Sequence, residues 1–190
     1  MAKTSKTKPS NLELFIRWFV VPLQTLKTIP NGDGAFVALS IGIFLCERYY
    51  RSVGNTQDNH NDYSFKKLAA KDLKVDKTFF DAFWDIFRNG MQHQATPKAA
   101  PHTDYATKIA TNYKWRISGS YKAIPTKRKH KKYTVIKIDP WKFADSMVSK
   151  FLNNAPELDK VSTHSFGGIW SERTPAKPKK ATAKPSPVAA

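Results

Sequence analysis

The sequence predicts a mainly helical protein: a helical bundle with a basic β-hairpin before its last core helix and a disordered C-terminal tail. Three observations predict it. Apolar residues recur at helical spacing in four separate segments. Between residues 113 and 138, two short stretches carry strand patterns instead. From Arg173 onward the chain holds Thr, Pro, Ala, Lys and Ser with no aromatic residue, a composition that buries too little to offset the entropy of ordering it. The expected organisation is a basic flexible N-terminus (1–10), one domain (11–172) with a hairpin at about 113–138, and a tail (173–190).

The elements follow in order. Residues 11–29 place Leu12, Phe15, Ile16, Phe19 and Leu23 at core spacing, and Pro22 is expected to kink or divide that helix. PNGDG at 30–34 is a turn signal. Residues 35–53 open with a mostly apolar run, as in the central helix of a bundle, but it is too short to span a bilayer. GNTQDNHND reads as a loop, and residues 63–73 as a short helix or turn.

Residues 76–95, DKTFFDAFWDIFRNGMQHQA, form the helix that carries the chemistry. Asp76 is placed as its N-cap, and Thr96-Pro97 ends it. Phe80, Phe83, Trp84, Ile86, Phe87 and Met91 fall on one apolar arc. The opposite arc holds Asp85, Arg88, Asn89, Gln92 and His93. Arg binds phosphate through two parallel charge-assisted hydrogen bonds, and His titrates near neutral pH and moves protons. Asn89 and His93, four apart, share a face, so the amide can orient the imidazole or bind the same ligand. Arg88 and His93 lie roughly 140° apart on the helix, which splays them in one copy and lets two copies share a groove. Gly90 admits a kink or a close backbone approach. A plain polar face with a capping His is the alternative for this stripe. Glu47 and Arg48 are placed either to face it or to form a simple surface pair.

Beyond a loop at 97–104, YKWRIS at 113–118 alternates like a half-buried strand and YTVIKI at 133–138 is β-branched. With PTKRKHKK read as a charged loop, the two make a hairpin with a basic tip that leans on the helices. Asp139-Pro140 starts the last helix, with Phe143 or Ala144, then Met147, Val148, Phe151 and Leu152 on its core stripe. HSFGGIW at 164–170 is expected to dock back on the body.

The net charge of +17 is unevenly placed: three lysines in the first eight residues, five cations in the tail, and ten Lys or Arg with no Asp or Glu between Tyr105 and Ile138. The remainder is close to neutral. A basic element on a neutral body points to a polyanion, with nucleic acid ahead of a membrane surface. Lys114, Arg116, Lys127, Arg128, Lys129, Lys131 and Lys132 are the expected phosphate contacts. Tyr113 and Trp115 are placed either to stack on bases or to pack in the core. The single Cys46 excludes a disulfide framework and fits a reducing compartment. The five histidines are scattered, without metal-ligand spacing, and no Gly-rich phosphate loop occurs. No metal or cofactor is expected, and with no secretory layout at the start, cytoplasmic placement is.

Arg88-Asn89-Gly90-Met91-Gln92-His93 resembles the R-x4-H motif, with a polar residue directly after the Arg, of HEPN domains, and the surrounding phrase FWDIFRNGMQHQATPK is similar to bacterial proteins of that type. The resemblance implies an all-α bundle and, in many members, metal-independent endoribonuclease activity with a toxin or defence role. His93 would then be the general acid or base, Arg88 the phosphate stabiliser and Asn89 the orienting group, with Asp85 and Gln92 in support. It implies RNA as partner, a homodimer through the face running from Asp85 to His93, or an antitoxin or other partner chain. The basic hairpin departs from a plain bundle. A non-catalytic nucleic-acid-binding module and a protein-interaction partner are the alternatives.

Overall fold

The structure, a computed structural model, describes residues 9–56, 59, 61–94, 96–98, 102–103 and 110–160. The expectations for the C-terminal tail, for HSFGGIW and for most of the basic N-terminus lie outside these residues. The described part is mainly helical with a small sheet.

Helix α1 runs through Asn11–Phe15, a π turn at Ile16–Val20, and Val21–Leu26. Ser10 and Glu13 close a capping box, with the Ser10 amide donating to Glu13 Oε2 at 2.6 Å and the Glu13 amide donating to Ser10 Oγ at 3.2 Å. Pro22 does not divide the helix. It has no N–H to donate, and the turn before it widens so that the Val21 amide bonds the carbonyl of Ile16.

Helix α2 (Ala35–Val53) packs most extensively on helix α5 (Pro140–Asn153), and Gly42 is why they come so close. A Cβ there would lie 2.7 Å from Phe143 Cδ1. Helix α3 (Phe65–Asp72) precedes α4, which comprises Lys77–Trp84, a π turn at Asp85–Asn89, and Gly90–Gln94. Asp76 caps α4 as expected, accepting from the Phe79 amide at 2.9 Å. Asp139 caps α5 in the same way, through the Trp141 and Lys142 amides. A last short helix, α6 (Pro156–Asp159), ties back through Ser52 Oγ to the Glu157 carboxylate (2.8 Å) and Asn11 to Asp159 (2.6 Å).

The apolar arc of α4 is core: Phe80, Phe83, Trp84, Ile86 and Phe87 are buried, and Met91 is half-buried. Phe83 meets Phe143 edge-on at 5.8 Å between centroids.

The strands differ from the expected hairpin. β1 (His102–Thr103) and β2 (Ala110–Thr111) form a minimal antiparallel pair. β3 (Tyr113–Ile117), β4 (Thr126–Lys129) and β5 (Thr134–Ile138) form a sheet in the order β3-β5-β4. The two stretches expected to pair as a hairpin, β3 and β5, are parallel neighbours, with Trp115 opposite Ile136. The hairpin partner of β5 is β4, drawn from the segment expected to be a charged loop. The connection from β3 is long enough to hold another strand, and an edge strand with its side chains in water carries the composition of a loop. Trp115, Ile117, Ile136 and Ile138 face the helices, and Trp115 meets Phe36 and Phe87 edge-on at 6.0 and 6.4 Å. Of the two uses expected for Tyr113 and Trp115, packing is the one seen.

Candidate functional site

The polar arc of α4 coincides with its π turn. Such a turn inserts an extra residue into the helix and re-aims its side chains, and here it contains Asp85, Arg88 and Asn89. Asp85 is the hub. Its Oδ1 accepts from Asn89 Nδ2 at 2.8 Å and from Lys98 Nζ at 3.3 Å, and its Oδ2 lies 3.3 Å from His102 Nδ1. Burial alone would raise the Asp85 pKa, but the hydrogen bonds from Asn89, His102 and Lys98 outweigh it and hold the carboxyl below its ordinary value.

Lys98 reaches Asp85 because the chain doubles back after α4. The Lys98 amide donates to the Ile86 carbonyl at 2.9 Å, and the returning backbone runs across Gly90. A Cβ on Gly90 would sit 2.4 Å from the Lys98 nitrogen and 2.8 Å from the Thr96 oxygen. This is the close approach that a glycine in the motif suggested.

Arg88 faces α2, not open solvent. Its Nε lies 3.6 Å from Glu47 Oε2, and Nη1 donates to Asn89 Oδ1 at 3.3 Å; the side chain keeps 28% exposure. Glu47 is shared, because its other oxygen receives Arg51 Nε at 3.0 Å. Arg51, nearly buried, also donates from Nη1 to the carbonyls of Asn59 and Asp62, at 2.9 and 2.8 Å, and covers the Phe65 ring. Of the two placements open for Glu47, the structure shows it facing the stripe. Arg88, Arg51 and Lys98 bring three positive charges against the two carboxylates of Asp85 and Glu47, a surplus of one with His102 neutral.

The stripe is therefore divided. Asp85, Arg88 and Asn89 are half-buried, the first two engaged by other segments and Asn89 by those two, whereas Gln92 and His93 are exposed. Sequence reasoning missed Lys98 and His102. Both come from connecting segments without periodicity, and nothing in their spacing from Asp85 signals the contact.

The seven expected phosphate contacts, Lys114, Arg116, Lys127, Arg128, Lys129, Lys131 and Lys132, are all exposed. The sheet separates them. Lys127 extends over the Phe79 ring, its Nζ 5.3 Å from the centroid, on the side facing the helices, while Lys131 and Lys132 lie in the turn before β5. Lys114, Arg116 and Arg128 belong to the outward side. Apart from these groups, a cavity of about 380 Å³ opens between α2 and α3, lined by Tyr49, Tyr50, Leu68 and Asp72 among others, and it holds none of the expected site residues. Among the described residues no three of His, Cys, Asp and Glu come together as a metal site would need, and no helix is long and apolar enough to cross a membrane. No family model, no curated protein and no solved structure matches the chain.

Proposed function

We propose that the protein is a metal-independent endoribonuclease of HEPN type that holds RNA by its phosphate backbone. The observation that carries this reading is the placement of Arg88: Glu47 and Asn89 orient its guanidinium while leaving part of it open, with His93 exposed on the next turn of the same helix. A guanidinium already oriented stabilises charge developing on a phosphate with little reorganisation at the moment of reaction. RNA supplies its own nucleophile. A base takes the 2′-OH proton, the 2′-oxygen attacks phosphorus, and the 5′-oxygen departs with a proton from the acid. The products are a 2′,3′-cyclic phosphate and a 5′-hydroxyl. His93 serves as one proton carrier and Arg88 steadies the phosphate. Two copies meeting through the exposed Gln92–His93 end of the stripe would bring both kinds of group onto one substrate.

The test is cleavage of end-labelled RNA by the full chain in excess chelator. His93→Ala and Arg88→Ala should each slow cleavage by about 100-fold or more, with cyclic phosphate ends on the wild-type product. Equal cleavage by all three proteins would sink the assignment. A second reading, a non-catalytic nucleic-acid-binding module, is favoured by one observation: Glu47 already offsets much of the Arg88 charge, while the unpaired cations stand on the sheet. RNA left intact by wild type but retained on a filter at moderate salt would select that reading.

A further inference from the structure

The outward face of the sheet carries four cations among its six residues. Opposed residues share a face, and alternate residues along a strand switch faces. With Trp115, Ile117, Ile136 and Ile138 turned to the helices, the outward set is Lys114 and Arg116 on β3, Val135 and Lys137 on β5, and Thr126 and Arg128 on β4. They form two rows: Lys114, Val135 and Arg128, then Arg116, Lys137 and Thr126. Val135, between Lys114 and Arg128, is 5% exposed, whereas both of those cations are exposed. Rows on one face stand about 7 Å apart along a strand, and neighbouring strands about 4.8 Å apart.

Arg116 and Lys137 are directly opposite across β3 and β5. Like charges so placed destabilise a sheet. Among the described residues no carboxylate lies within ion-pair distance of any of the four outward cations, and the segment from Tyr105 to Ile138 contains none at all. The sheet holds these charges together with nothing in the described chain to neutralise them.

Aromatic rings border the same face at both ends. Lys114 Nζ lies 4.2 Å from the Tyr133 ring centroid, and the exposed His130 ring stacks on Tyr133 at 4.9 Å with a 21° interplanar angle. At the other end, Lys137 Nζ lies 5.3 Å from the Tyr121 ring. Cations between aromatic platforms are the means by which proteins hold an unpaired strand, the charges tracking phosphates and the rings taking base faces. A paired duplex offers the phosphates but hides the base faces.

We propose that the outward face of the sheet is a binding site for single-stranded nucleic acid, with Lys114, Arg116, Arg128 and Lys137 on the phosphates and the His130–Tyr133 pair and Tyr121 beneath bases. It rests on the RNA reading above for the identity of the polymer, but not on cleavage.

The test measures binding of the full chain to a fluorescent 2′-O-methyl oligouridine of about 20 nucleotides, whose blocked 2′-oxygens prevent cleavage, with a DNA strand and an RNA duplex of equal length as further arms. Arg116→Ala/Lys137→Ala should weaken single-strand binding and reduce the slope of log K against log salt by about 0.7 for each phosphate no longer neutralised. The charge-matched Lys67→Ala/Lys71→Ala variant, exposed lysines on α3, should bind as wild type. Tyr133→Leu should weaken binding roughly 5- to 100-fold with the salt slope unchanged. Unaltered binding by Arg116→Ala/Lys137→Ala, or a duplex bound as tightly as the single strand, overturns the proposal. Tight binding to the DNA strand alone overturns RNA as the polymer, and no binding by wild type to any arm removes the RNA reading itself.

Discussion

Asp85 is where chemistry and stability meet at the scale of a residue. Its carboxylate receives Asn89, Lys98 and His102 and joins three segments of chain. Because its folded pKa is depressed, it contributes stability above the unfolded value of about 3.9, and that contribution is lost as pH falls through and below that value. Asp85→Asn should cost about 1–2 kcal/mol at pH 7, allowing for water screening on its exposed third, and progressively less as pH falls below about 3.9. Urea melts of both proteins across that range measure it; a gap that stays constant would contradict the assignment. Gly90 gives a prediction opposite to helix propensity. Alanine ordinarily gains about 1 kcal/mol over glycine within a helix. Here its Cβ meets backbone on the Thr96–Lys98 segment, so Gly90→Ala should destabilise by about 1–3 kcal/mol, read as a lowered urea midpoint. The helix caps at Asp76 and Asp139 could be read from the sequence because each depends on a few adjacent residues. The partners of Asp85 could not, because Lys98 and His102 arrive from segments whose positions are set by the tertiary fold.

Among the elements, the helices were legible in outline, although Leu12, Ile16 and Leu152, expected on core stripes, are exposed, and the sheet order was not. A helix states its buried face in its own periodicity, as α4 does from Phe80 to Phe87. A strand states only which of its residues are apolar, and nothing in YKWRIS or YTVIKI says whether they run parallel. β4 was hidden because Lys127, Arg128 and Lys129 report water and not pairing. Of the two outcomes expected at Pro22, division of α1 is not seen: Pro22 signals a missing hydrogen bond, but a π turn absorbs it without a break. β5 is now the central strand, with Ile136 fully buried and paired on both sides. Ile136→Ala should therefore cost about 2–5 kcal/mol. In native-state hydrogen exchange, amides of β5 should outlast those of the edge strand β4. Equal protection in the two strands would count against the observed order.

For the whole molecule, charge is the dominant fact. A net +17 with ten cations in one segment makes the folded state repel itself. Added salt screens that repulsion, so the melting temperature should rise by a few degrees between low and about 0.15 M salt, in contrast to a protein held by surface ion pairs. A melting temperature that falls steadily with salt would mean that pairs such as Lys27 with Asp145 outweigh the repulsion. This segregation was readable by counting residues; the gathering of Lys114, Arg116, Arg128 and Lys137 on one side of a sheet was not, because counting does not reveal which strands are neighbours.

Glu47 has two oxygens and two claimants. One keeps Arg51, which fastens the α2–α3 connection by its carbonyls; the other keeps Arg88. An incoming anion that shares the Arg88 guanidinium weakens its hold on Glu47 and leaves Arg51 the stronger claimant, so occupancy at one place should tighten a loop at another. By reciprocity, loosening that loop should alter how strongly Arg88 receives the anion. Proteolytic nicking between α2 and α3, slower with RNA bound than without it, would register the link; an Arg51→Lys variant that retains the same difference would break it.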